Sequence, residues 1–99
     1  MEREGGAEWR VAPASRHVQF SFHAPEAQRV SVAGDFNGWD VSVHELSRKE
    51  NGLWLITIEL SPGSYEYKFF ADGEWHVDPD AVSYNVNKYG TLNCIITVD

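Results

Sequence analysis

The sequence predicts an all-β fold, a single-domain antiparallel β-sandwich of immunoglobulin-like shape, on three observations. Apolar and polar residues alternate with period two in several short stretches. Turn-forming residues recur between those stretches, and no stretch of useful length carries the 3.6-residue period of an amphipathic helix. About six or seven short strands separated by such turns are the pattern of a sandwich. With 99 residues, 42% of them hydrophobic, and with 5 Phe, 4 Tyr and 4 Trp, the chain has apolar surface for one modest core and no second lobe to close a deep cleft.

Residues 1–15 mix Gly5, Gly6, Pro13 and charges without a period, so they read as an N-terminal tail, with order expected only near Trp9 or Val11; the domain is expected over 16–99. Residues 17–23 alternate strictly and put Val18, Phe20 and Phe22 on one face. Pro25 and Glu26 turn the chain into a second strand with Val30 and Val32 inward. Residues 34–40 combine glycines, Asn and Asp, which tolerate left-handed backbone angles, with Phe36 and Trp39, and so form a loop that displays rings. Residues 41–46 make a short edge segment, and Asn51-Gly52 is a strong hairpin signal leading into a mostly buried strand over 53–60 with Trp54 in the core. Pro62 and Gly63 turn the chain into a strand over 65–71, Asp72-Gly73 forms a second hairpin turn, and residues 74–77 return. An irregular loop is expected from Asp78 to Gly90, and a final strand over 91–98 with Leu92, Cys94, Ile96 and Val98 inward; Ile95 fits that alternation poorly.

Charge and composition exclude several functions. The 8 Lys plus Arg against 15 Asp plus Glu give a net charge of −7, with no basic cluster, which argues against a nucleic-acid partner. No apolar run approaches the roughly 20 residues that span a bilayer, so no membrane association is expected. A lone Cys94 and an N-terminus without an apolar leader point to a reducing compartment, hence a cytoplasmic location. The aspartates 35, 40, 72, 78 and 80 read as turn residues rather than a glycosidase pair, so no catalytic residue is assigned. His76, Asp78 and Asp80 alternate, and His17 and His23 share a strand face, but neither set has metal-site spacing, and solvated polar faces account for both. No metal or other cofactor is expected. Cys94 reads as a small core residue rather than a nucleophile.

The Asp72-Gly73 hairpin sorts side chains by face. A two-residue loop pairs Ala71 with Glu74, Phe70 with Trp75, Phe69 with His76 and Lys68 with Val77. Tyr65, Tyr67 and Phe69 then share the core face, while Glu66, Lys68, Phe70, Trp75 and Val77 share the outer one. An exposed Trp beside Lys, with Thr91 and Asn93 pointing outward from the last strand, is a candidate binding patch. The plainer reading of Trp75 is a ring that caps the sandwich edge, and for Trp39 local packing and ligand contact stand side by side. Flat rings with Lys, Asn and Thr around them suit a neutral sugar polymer: the C–H face of a pyranose buries apolar area on a ring, while polar side chains meet its hydroxyls.

Three stretches, 30–39 (VSVAGDFNGW), 63–75 (GSYEYKFFADGEW) followed by Asp78-Pro79, and 89–93 (YGTLN), together resemble the family 48 carbohydrate-binding modules. These are the glycogen-binding domains of AMP-activated protein kinase beta subunits and the N-terminal domains of branching and debranching enzymes. The resemblance implies a non-catalytic module for α-1,4-glucan (glycogen, starch or maltooligosaccharide) that targets an associated enzyme or kinase subunit to the polymer. It further implies that Trp39 and Trp75 stack on glucose units, that Lys68 and Asn93 contact hydroxyls with Thr91 nearby, and that Tyr89 reaches into the curved glucan. Tyr89 replaces the usual Leu of the kinase-type domains, and Cys94 replaces a second Asn. The rival is an accessory or protein-interaction domain that packs against a catalytic domain or partner subunit with little sugar affinity; it has no need of Trp39, Trp75, Lys68 and Asn93 together.

Overall fold

The computed structural model describes residues 15–99, and the expectation for Trp9 and Val11 lies outside them. Among the described residues eight strands run in order: β1 (Arg16–His23), β2 (Val30–Gly34), β3 (Ser47–Arg48), β4 (Leu53–Leu60), β5 (Gly63–Ala71), β6 (Glu74–His76), β7 (Ser83–Val86) and β8 (Leu92–Val98). They form two antiparallel sheets, one of order β1-β4-β3, the other of order β2-β5-β8-β7 with β6 also paired to β5. The two sheets pack face to face as an all-β sandwich, as the period-two alternation requires: the longer strands β1, β4, β5 and β8 each place a row of apolar side chains inward.

Aromatic side chains from the two sheets meet in the core. Phe22 of β1 stacks on Phe69 of β5 with ring centroids 4.7 Å apart, and Phe20 meets the edge of Tyr67 at 5.1 Å. Phe69 is fully buried, as are Val30, Val32 and Cys94 around it. Trp54 is buried as expected, and its indole N–H donates to the Ala24 carbonyl at 2.9 Å.

Strand β5 organises the larger sheet. One edge carries β2 from Gly34↔Tyr67 to Val30↔Ala71. The other edge is shared by β8, from Gly63↔Val98 to Tyr67↔Cys94, and by β6, from Phe69↔His76 to Ala71↔Glu74. The expected hairpin register thus holds through three pairs and stops before Lys68, which lies at the junction of β8 and β6. The turn between β5 and β6 has positive φ at both central residues, 49° at Asp72 and 86° at Gly73, the two-residue geometry whose twist matches the strands. The segment 41–46 covers the free edge of β2 through one bridge, Ser31↔Glu45, with Val32 N–H donating to the His44 carbonyl at 3.0 Å and Leu46 N–H to that of Val30 at 2.8 Å.

Several expectations change. The span expected to be an irregular loop contains β7, whose residues Ser83–Val86 are all exposed; with no alternation to mark it, the strand exists because β8 offers it a ladder. Leu92, expected inward, is exposed, since it ends that ladder opposite Val86, itself exposed. Asp78, read as a turn residue on a solvated polar face, is buried. Its carboxylate accepts the Tyr67 hydroxyl at 2.7 Å and the Asp80 N–H at 2.9 Å, and its carbonyl accepts the Tyr84 hydroxyl at 2.9 Å. Burial first, and that bond to Asp78 second, push the Tyr67 phenol far above its usual range. Burial likewise pushes the Cys94 thiol up, and its sulfur accepts the Asp78 N–H at 3.1 Å, so the residue is inert packing.

Asp72 ties its turn to the chain before β2. Its carboxylate accepts the N–H groups of Gln28, at 3.0 and 3.1 Å, and of Arg29 at 3.0 Å, and these bonds hold its carboxyl below the usual carboxylate range. A depressed folded-state pKa contributes stability above the unfolded value, about 3.9 for Asp, and loses it as pH falls through the folded value. Asp72→Asn is therefore expected to lower the thermal midpoint at pH 7, and the gap from the native protein is expected to close as the pH drops below about 4. Paired melting curves across pH 2–7 check this; a gap that does not change with pH contradicts it.

Candidate functional site

The loop between β2 and β3 aims Trp39. Gly34 is extended, with φ −173°, and its role is close approach: a Cβ there would lie 2.4 Å from the Glu66 carbonyl oxygen. Asp35 uses both carboxylate oxygens, one for the Glu66 N–H at 2.8 Å and one for the Trp39 indole N–H at 3.1 Å. Phe36 turns into the core against Phe20 at 5.5 Å. Asn37 closes the turn, accepting the Gly34 N–H and donating to the Val32 carbonyl, both at 3.0 Å. Gly38 and then Trp39 itself take left-handed angles, φ 66° and 62°. Such a conformation costs a bulky residue about 1 kcal/mol. It is held here by the Trp39 N–H donating to the Gly34 carbonyl at 2.9 Å.

The β5–β6 hairpin aims Trp75. The residue is 47% exposed, and its ring is tilted against Phe70 at 4.9 Å and meets Trp39 edge-on, with centroids 6.2 Å apart and planes inclined at 63°. Two platforms from distant parts of the chain thus stand side by side at an angle. Beyond them Tyr89 is 78% exposed, with the Lys88 ammonium over its ring at 5.3 Å.

Between the rings lies a polar floor. Lys68 and Asn93 belong to the outer face as expected, but both are only 8% exposed. The Lys68 ammonium donates to the Thr91 hydroxyl oxygen at 3.1 Å, and Asn93 donates to one Glu66 carboxylate oxygen at 3.0 Å, while Asn85 donates to the other at 3.0 Å. Thr91 also accepts from the Asn87 amide at 2.7 Å. With both acceptor positions of that hydroxyl filled, its own proton is left as a donor.

Trp39, Lys68, Trp75, Tyr89, Thr91 and Asn93 all line one open pocket of about 650 Å³, together with Asn87 and Lys88. Its lining contains two lysines and no carboxylate residue, although the chain carries a net charge of −7. Asn87 and Lys88 escaped the sequence reading because they sit in a span read as irregular; the Asn preceding a Gly-containing turn was the available signal. No group of three or more metal-ligating side chains exists among the described residues, and none of their helices is long and apolar enough to cross a membrane.

Residues 16–99 match the family described as the glycogen recognition site of AMP-activated protein kinase. The chain is 31% identical over 81 residues to the amyloplastic phosphoglucan phosphatase DSP4 of Castanea sativa, a match covering 82% of this chain and 22% of that protein. It is 37% identical over 92 residues to the 1,4-alpha-glucan branching enzyme GlgB of Salinibacter ruber, covering 86% of this chain and 15% of the enzyme. The fold superposes on a maltogenic amylase from S. marinus with a TM-score of 0.72 at 22% identity, covering 84% of this chain and 13% of the amylase. The chain spans less than a quarter of the length of each of these proteins.

Proposed function

This chain belongs to the family of the glycogen recognition site of AMP-activated protein kinase, and from that premise we propose that this carbohydrate-binding module, over residues 16–99, binds α-1,4-glucan without catalysing a reaction. Glucose units stack on Trp39 and Trp75, Tyr89 reaches into the curve of the chain, and Lys68, Thr91 and Asn93 satisfy hydroxyls. The reading extends to glycogen, starch and linear maltooligosaccharides, and to the targeting of an associated enzyme or kinase subunit onto the polymer.

The observation that carries it is the meeting of two inclined tryptophan rings over a floor of Lys, Thr and Asn in one shallow pocket. Stacking removes the apolar face of a pyranose from water, and the floor supplies partners that its hydroxyls would otherwise lose. Rings set at an angle suit a chain that curves, as an α-1,4-glucan does, better than a flat ribbon. The names of the phosphatase and branching-enzyme relatives, both acting on glucans, support the same ligand class. A shallow site of this kind binds on the order of micromolar to millimolar, with tighter attachment to a polymer arising from several modules acting together.

Calorimetric titration with maltoheptaose, with cellohexaose as the linkage control, tests the proposal. Heat with the first and none with the second is the expected result; silence with both overturns it. Silence would favour the accessory role, packing against a catalytic domain or partner subunit, for which the exposed Val86 and Leu92 pair on β7 and β8 offers a surface.

Lys68→Ala is expected to weaken maltoheptaose binding about tenfold, the loss of roughly one charge-assisted hydrogen bond. That loss should be the same at 50 mM and 500 mM salt, because the ligand is neutral. A steep salt dependence would point to a charged ligand instead.

A further inference from the structure

Resting on the α-glucan reading, we propose that Asn87 is the positioning residue of this site, the group that holds Tyr89, Thr91 and Asn93 in their binding arrangement before any ligand arrives. Its side-chain amide makes four hydrogen bonds, all to these three residues. The carbonyl oxygen Oδ1 accepts the backbone N–H of Tyr89 at 2.9 Å and that of Thr91 at 3.1 Å. The amide nitrogen Nδ2 donates to the Thr91 hydroxyl oxygen at 2.7 Å and to the Asn93 side-chain oxygen at 3.0 Å. Two acceptances and two donations are the full capacity of the group. The backbone of the same residue closes the turn, its N–H donating to the Thr91 carbonyl at 2.7 Å and its carbonyl accepting the Gly90 N–H at 3.0 Å.

Tyr89 has most need of such support. The residue is 78% exposed and its ring is met by the ammonium of Lys88, itself an exposed residue, so packing does not hold it. The ring stands where its backbone puts it, and that backbone is bonded to Asn87. Thr91 needs it in a second way, because the bond from Asn87 fills the acceptor position that leaves the hydroxyl proton free for the ligand. An exposed turn without this clamp would have to order on binding, and the entropy of that ordering would be subtracted from affinity.

Of the four possible amide bonds, aspartate can keep the two acceptances and none of the donations, and alanine keeps neither. The test is calorimetry with maltoheptaose on the native domain, Asn87→Ala, Tyr89→Ala, the Asn87→Ala/Tyr89→Ala double variant, Asn87→Asp and the Asn87→Asp/Tyr89→Ala double variant. Asn87→Ala is expected to weaken binding about five- to tenfold, and in the Tyr89→Ala background at least half of that loss, on a logarithmic scale, is expected to vanish. In the Asn87→Asp background Tyr89→Ala is expected to cost as much as it does in the native domain, since the two bonds that shape the turn survive. Additive losses overturn the proposal by making Asn87 an independent contact, as does a Tyr89→Ala variant of native affinity. Should Asn87→Ala not fold, the aspartate pair decides: a Tyr89 contribution lost with Asn87→Asp in place contradicts the positioning role. A native domain that gives no heat refutes the α-glucan reading itself, which is a different result from a domain that binds with an additive cycle.

Discussion

Trp75→Ala is expected to weaken maltoheptaose binding about ten- to hundredfold and leave a folded domain. The ring contributes an apolar platform whose burial against a sugar is worth about 1.5–3 kcal/mol. At roughly tenfold per 1.4 kcal/mol, its removal weakens binding about ten- to hundredfold, which takes a site near the millimolar end of the expected range beyond the reach of calorimetry. The cost to the fold is small by comparison, because Trp75 is 47% exposed and its ring neighbours are Phe70 and Trp39 on the outer face, not the residues between the sheets. We expect a loss of about 1 kcal/mol, against about 3–5 kcal/mol for a fully buried aromatic, which is a fall of about 4–8 °C in the thermal midpoint for a domain of this size. Melting curves alongside the titration separate the outcomes. A collapsed fold would make Trp75 a core residue, and native affinity in the variant would remove it from the site.

Gly34→Ala is expected to give a large loss of stability for the addition of a single methyl group. The added Cβ would lie 2.4 Å from the Glu66 carbonyl oxygen and 2.8 Å from the Tyr67 Cβ, so β2 and β5 must move apart where β2 ends. Neither obstacle is the flexible end of a side chain. Overpacking of this kind costs about 3 kcal/mol, or a fall of more than about 10 °C in the thermal midpoint. Because the Trp39 loop hangs from Gly34 through two hydrogen bonds, glucan affinity is expected to fall as well. Gly73→Ala is the control. Its Cβ would meet nothing within 4 Å, and the cost there comes from φ 86° alone, about 1 kcal/mol. Equal midpoints for the two variants would show that close approach is not what requires Gly34.

Much of the frame was legible in one sequence. The alternation at 17–23 marked β1, and the outer-face grouping of Lys68, Phe70 and Trp75 followed from the Asp72-Gly73 turn, whose geometry imposes the pairing of Phe70 with Trp75. Trp39, Lys68, Trp75, Tyr89, Thr91 and Asn93 line one pocket. Their depth was not legible. Lys68 and Asn93 have outward parity, yet Lys68 is nearly buried at the β8–β6 junction and Asn93 sits beneath Asn87.

Period-two alternation and turn chemistry are local properties, written in windows of a few residues, and so the sequence alone determined the all-β class, most strands, the β5–β6 hairpin and the face on which its aromatics stand. The remaining features depend on residues far apart in the chain meeting at a few ångströms: the ladder that makes a strand of 83–86, the contact with Glu66 that requires Gly34, the buried Asp78 bonded to Tyr67, and the angle between Trp39 and Trp75. Only the tertiary structure decided these, because register and close approach between strands belong to pairs of segments and no single segment contains them.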